Sequence, residues 1–105
     1  MDALADPILA RFRASLDLAY GERLRRVVLF GSRARGDARA DSDYDVAVFL
    51  ADPDSFWTES GRLAEIETDI LFDTGAVINA LPFPADAQGA NDPLMREIER
   101  EGRPL

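Results

Sequence analysis

A chain of 105 residues that is 47% hydrophobic and carries a net charge of −8 reads as one domain over residues 1–105, with apolar mass enough for a core. The absence of cysteine and histidine removes disulfides, thiol nucleophiles, Cys/His zinc sites and Ser-His-Asp catalysis together, and leaves hard cations held by oxygen as the candidate metals. The acidic balance argues against direct nucleic-acid binding, no apolar run approaches the ~20 residues that cross a bilayer, and the N-terminus lacks the pattern of a signal peptide, so a cytoplasmic protein with no membrane partner is expected.

Ile8, Leu9, Phe12, Leu16 and Ala19 recur at helical spacing and predict an amphipathic helix over 7–20, stopped by Gly21. Leu24 to Phe30 is rich in Val and Leu and predicts a strand. Gly31 and Ser32 follow directly and lead into a short helix. Tyr44 to Leu50 predicts a second strand, and "ADPDS" (51–55) a turn. Ser55 to Phe72 reads as a helix with Leu63, Ile66 and Ile70 as its stripe; a hairpin of 68–72 with 76–81 around "DTG" is the alternative. Ala76 to Leu81 predicts a third strand and "PFPADAQGAND" (82–92) a loop. Asp92 then caps a final helix that starts at Pro93 and ends at Gly102, with Leu94, Met95 and Ile98 for packing. The order is α β α β α β α, which predicts an α/β (α+β) domain with a small mixed sheet flanked by helices.

The charge is uneven along the chain. Residues 1–40 carry 8 Arg and 5 acids, residues 41–105 carry 4 Arg and 15 acids, and six of the 12 arginines fall between Arg23 and Arg39. On composition alone an arginine cluster is a solvated face. Here it borders a glycine-serine turn between strand and helix, where unpaired backbone N–H groups, the helix dipole and the Ser32 hydroxyl together suit a phosphate. Gly31 permits close approach, and Arg33 and Arg35 offer forked donors that match phosphate oxygens. A P-loop is excluded, because Asp37 and Ala38 stand where Lys and Ser/Thr are required. A calcium loop is excluded as well: Val46 replaces the glycine of its sharp turn and Asp52 the bidentate Glu.

Asp43 and Asp45 occupy positions i and i+2 at the head of the second strand, so both point to one side, followed there by Ala47 and Phe49. Two acids on one face repel, and a solvated strand end or a divalent cation relieves that repulsion. The phosphate-type turn upstream favours the cation. Trp57 and Phe56 read as core or interface filler ahead of a base-stacking platform, and Arg25 and Arg26 as solvated strand residues.

Taken together, "GSRARG" and "SDYDVAV" resemble the G-S-x-A-x-G and S-D-x-D signature of the nucleotidyltransferase (DNA polymerase β-like) superfamily, and most of all its minimal nucleotidyltransferases, the MNT group paired with HEPN-domain proteins. The resemblance implies Gly31 and Ser32 on the nucleotide phosphates, Asp43 and Asp45 as catalytic Mg2+ ligands, and ATP as substrate. It also implies an antitoxin whose partner is a HEPN-type toxin, modified in some members by AMP on a tyrosine. The family's third carboxylate usually lies on the next strand; aligning that strand puts Asn79 at or near its position. Asn can offer a carbonyl oxygen to Mg2+ but cannot act as a base. Two functions are therefore expected: a Mg2+-dependent transferase of AMP onto its partner, or a nucleotide-binding antitoxin that acts by contact alone.

Overall fold

The computed structural model describes residues 3–87 and 92–105. After a short 3-10 turn, helix α1 (Pro7–Tyr20) begins. Asp6 caps it by accepting from the N–H of Ile8 at 2.8 Å, and Pro7 takes a first-turn position where its missing N–H removes no bond. Then follow β1 (Leu24–Phe30), α2 (Ser32–Arg35), β2 (Tyr44–Leu50), α3 (Phe56–Thr74), β3 (Ile78–Pro84), α4 (Pro93–Glu101) and β4 (Arg103–Pro104). The sheet order is β3-β2-β1-β4. β2 and β3 are parallel, while β1 is antiparallel to both β2 and β4. The expected mixed sheet flanked by helices is thus the observed fold.

The alternation of β2 builds two apolar layers. Tyr44, Val46, Val48 and Leu50 face α1 and α3, where they pack with Phe12, Leu16, Leu63 and Ile70. Ala47 and Phe49 face the other way, against Met95 and Ile98 of α4. Burying a side chain of this size contributes roughly 1.5–3 kcal/mol, so both layers fix the register of β2 and thereby the side on which Asp43 and Asp45 emerge.

Residues 68–72 are helical, as the reading of Ser55 to Phe72 expects, because Ile70 continues the buried stripe of Leu63 two turns on; the hairpin alternative is wrong. Two elements depart from the sequence reading. The third strand starts at Ile78 and runs on to Pro84, through residues 82–84 that the prolines predicted as loop; residues 88–91 of that predicted loop lie outside the described residues. In parallel pairing, alternate residues of β3 bond to β2. Tyr44 donates to Val77 O and Ala85 donates to Leu50 O, so the odd positions face β2 and the even ones face outward. Pro82 and Pro84 fall on outward positions, where no ladder N–H is needed. The outward N–H of Ala80 instead donates to Glu67 Oε1 at 2.7 Å. Finally, β4 is a two-residue strand that the sequence pattern does not signal; Leu105 N bonds Val27 O beside it.

Candidate nucleotide and cation site

The antiparallel register of β1 and β2 sets Phe30 opposite Asp45. Gly31, the next residue, therefore lies against the Asp45 carboxylate. Its backbone has φ 74° and ψ −156°, a region open in practice to glycine alone. A Cβ placed on it would stand 2.5 Å from Asp45 Oδ2. Close approach and conformation both demand glycine here. Ser32 opens α2; the N–H groups of Ala34 and Arg35 donate to Gly31 O at 3.1 Å, which leaves those of Ser32 and Arg33 outside the helical ladder.

Asp43 is exposed and Asp45 half-buried, on the α4 side of the sheet. Parallel pairing sets Asn79 beside Asp45, and the Asn79 amide donates to Asp43 Oδ2 at 3.1 Å. The structure thus brings Gly31, Asp43, Asp45 and Asn79 together at one end of the sheet. Burial pushes the Asp45 carboxyl above its ordinary range, with the charges of Asp43 and of Glu97 on α4 adding to the effect; the Asn79 amide and Arg35 pull the other way. Among the described residues no group of three acids, histidines or cysteines is gathered to hold a metal. The donors present are two carboxylates and the side-chain oxygen of Asn79, all hard ligands, with excess negative charge between them. That set fits Mg2+, which keeps several waters and needs few protein ligands.

The two arginines part company. Arg35 stays on the α4 side, held by Asp37 at 3.4 Å, Glu101 at 3.3 Å and Glu97 at 3.7 Å. Arg33 does not join the carboxylates. Its guanidinium lies 3.9 Å over the Tyr44 ring and donates to the carbonyls of Ser42, at 2.7 and 3.0 Å, and Ala40, at 3.1 Å. Tyr44 faces α1, where its hydroxyl donates to Asp6 Oδ2 at 2.7 Å. Arg33 thus braces the loop before β2 from the far side of the sheet. Spacing alone could not separate the two arginines, because a four-residue helix turns them to different sides.

Other features were not visible in the sequence reading. Glu97 and Glu101 reach the site only because α4 packs across β1. Glu59 is fully buried at the opposite end of the sheet. It accepts from Tyr20 Oη, Arg23, Arg62 and the N–H of Asp54 at 3.2, 2.8, 3.1 and 2.9 Å. Its signal was present: residue 59 lies four before Leu63, on the buried stripe. Trp57, read as filler, is largely exposed, and Arg25 and Arg26 are exposed as expected.

The family model for Polymerase beta, Nucleotidyltransferase matches residues 18–105. A Methanocaldococcus jannaschii protein, provisionally named protein adenylyltransferase MJ0604, is 30% identical over 99 residues, which are 92% of this chain and 93% of that protein. A solved structure, provisionally described as a minimal nucleotidyltransferase, is 28% identical with a TM-score of 0.61, covering 100% of this chain and 97% of the other. The tri-AMPylated Shewanella oneidensis HEPN toxin in complex with MNT antitoxin contains a chain that shares the fold at 16% identity, with a TM-score of 0.55 over 92% of this chain and 70% of that one. Glycine against carboxylate, two acids on one strand face, and a family match over most of the sequence lead to one conclusion: this chain belongs to the Polymerase beta nucleotidyltransferase family.

Proposed function

We propose that residues 1–105 form a single minimal nucleotidyltransferase domain that moves AMP from ATP to a HEPN-type partner and so acts as its antitoxin. The observation that carries this reading is the pairing of the Gly31 turn with Asp45, and of Asp45 with Asp43, on one side of the sheet. Backbone N–H groups at Ser32 and the Ser32 hydroxyl would receive phosphate oxygens, with Arg35 as the nearby cation. Asp43 and Asp45 would hold Mg2+ with Asn79. When bound, that ion would supply positive charge to offset the charge that builds on the phosphates and pyrophosphate. The acceptor, a tyrosine hydroxyl of the partner, forms the new oxygen–phosphorus bond as the bond to pyrophosphate breaks, and its proton passes to solvent. Among the described residues no hydrogen bond ties the Ser32 hydroxyl to a base, so it would serve as a donor.

A second reading rests on Asn79. It stands in register with Asp45, where the family resemblance expects a third acid, and its neutral amide cannot take the acceptor's proton. Under that reading the chain binds nucleotide and silences its partner by contact. Incubation of the chain with Mg2+, α-labelled ATP and a HEPN-type protein separates the two. Label on the partner that disappears with Asp45→Ala supports transfer. A silenced partner without label supports contact alone.

A further inference from the structure

Helix α3 carries a surface that the nucleotide chemistry does not use. Its inner stripe, Glu59, Leu63 and Ile70, is buried. On its outer side Trp57 and Phe72 are each 82% exposed, with Leu71 at 42%. At 3.6 residues per turn, positions 57, 61, 64, 68, 71 and 72 fall within about 100° of arc, along about 22 Å of helix. Gly61, Ala64 and Thr68 are exposed between the aromatic ends, and Ala64, Glu65, Thr68 and Asp69 line a shallow groove there. Large aromatics left in water on one face mark an interaction surface. A low centre between two high ends is the relief into which the ridge of another helix packs.

Charge indicates the occupant. Glu65 and Asp69, one turn apart, flank the stripe, and neither belongs to an ion pair among the described residues. Asp73 on the same flank does, with Arg11 at 2.7 Å, and Asp54 pairs with Arg62 at 2.8 Å. A second copy packed antiparallel on this face would set the two acidic rows against each other, and an anionic membrane would be repelled. A helix with a basic flank meets neither obstacle.

We infer that the outer face of α3 docks an amphipathic helix of the protein that accepts the nucleotide. Its apolar ridge seats between Trp57 and Phe72, and its Lys/Arg flank pairs with Glu65 and Asp69. This rests on the transfer reading above for the identity of the partner. The Phe72 end of α3 leads into β3 and Asn79, so a helix docked there lies at the carboxylate end of the sheet, across it from the α4 side on which Asp43 and Asp45 emerge.

The test is a titration of the full chain into the same HEPN-type protein, read as a dissociation constant, with labelling measured in parallel. Trp57→Ala and Phe72→Ala should each weaken binding roughly 30-fold, as truncated aromatic anchors do. The double change Glu65→Arg and Asp69→Arg should weaken it about tenfold and remove its salt sensitivity. All these positions are exposed, so melting temperatures should stay near wild type. Leu18→Ala, an exposed apolar residue on α1, should bind as wild type. Wild-type affinity in the α3 variants with label still transferred would overturn the docking surface and leave the transfer reading standing. Affinity lost in those variants, with no label even from wild type, would support the surface and sink the transfer. No binding by wild type would overturn both.

Discussion

Glu59 and Asp45 are both carboxylates drawn into the fold, near opposite ends of β2, and they are treated in opposite ways. Four groups converge on Glu59: Tyr20, Arg23, Arg62 and the N–H of Asp54. Burial alone would push its carboxyl up, but the Asp54 N–H and the two arginines outweigh burial and hold it below its ordinary range. Asp45 is half-buried beside a like charge, and burial pushes it up with too little opposition. An acid whose environment fully satisfies its charge is part of the scaffold. An acid whose charged form the fold disfavours is a candidate for chemistry. The difference teaches where to look for chemistry: in the incomplete cluster.

The sharpest way to break this contrast is at Glu59. Glu59→Ala leaves Arg23, Tyr20 and the Asp54 N–H around an empty buried position, and is expected to cost about 2–4 kcal/mol. Chemical denaturation should register that loss, while nucleotide affinity of the folded fraction should be unchanged. A loss of affinity equal to that of Asp45→Ala would erase the distinction between the two acids. Gly31→Ala attacks the other end. The new Cβ meets Asp45 Oδ2 at 2.5 Å in a backbone region that alanine avoids, so a cost of about 1–3 kcal/mol is expected, together with loss of nucleotide binding. Stability and binding measured on the same sample would check this; wild-type binding would show that the turn does not shape the site.

The contrast also shows how much the sequence could tell. Period-two alternation in β2 placed Asp43 and Asp45 on the side of Ala47 and Phe49, because a strand allows no other arrangement once both faces are buried. Gly31 was read as a close approach to a ligand; the close contact in the structure is with Asp45, which the sequence does not give because it depends on the register of β1 on β2. The prolines of β3 misled because their harmlessness depends on which edge of the strand faces solvent, a property of the sheet and not of the segment. Arg33 misled for a similar reason: its partners are the Tyr44 ring and backbone carbonyls of the adjoining loop. Glu59 was missed because its satisfaction comes from four places that only the folded chain unites.

The smallest expected effect is also the most discriminating. Asp45→Asn keeps the shape of the side chain and removes the charge. Asp45 has a folded-state value raised above the ordinary 3.8, so ionisation weakens the folded state, and that penalty is fully present at pH above the folded value. It is absent below 3.8, where the carboxyl is protonated both folded and unfolded. Asp45→Asn should therefore be slightly more stable than wild type at pH 7, by less than about 1 kcal/mol. The advantage should shrink to nothing as the pH falls below the ordinary carboxylate range. Glu59 runs the other way: its stabilising contribution is present above the ordinary 4.5 and is lost as the pH falls through its lowered folded value. Thermal melts of wild type and Asp45→Asn across that range, without added metal, would read both trends. Mg2+ with nucleotide at pH 7 should then reverse the ranking, because only wild type keeps both carboxylates that would hold the ion. If Asp45→Asn is less stable than wild type at pH 7 without metal, Asp45 belongs with Glu59 as a scaffold acid, and the strain assigned to the site is not there.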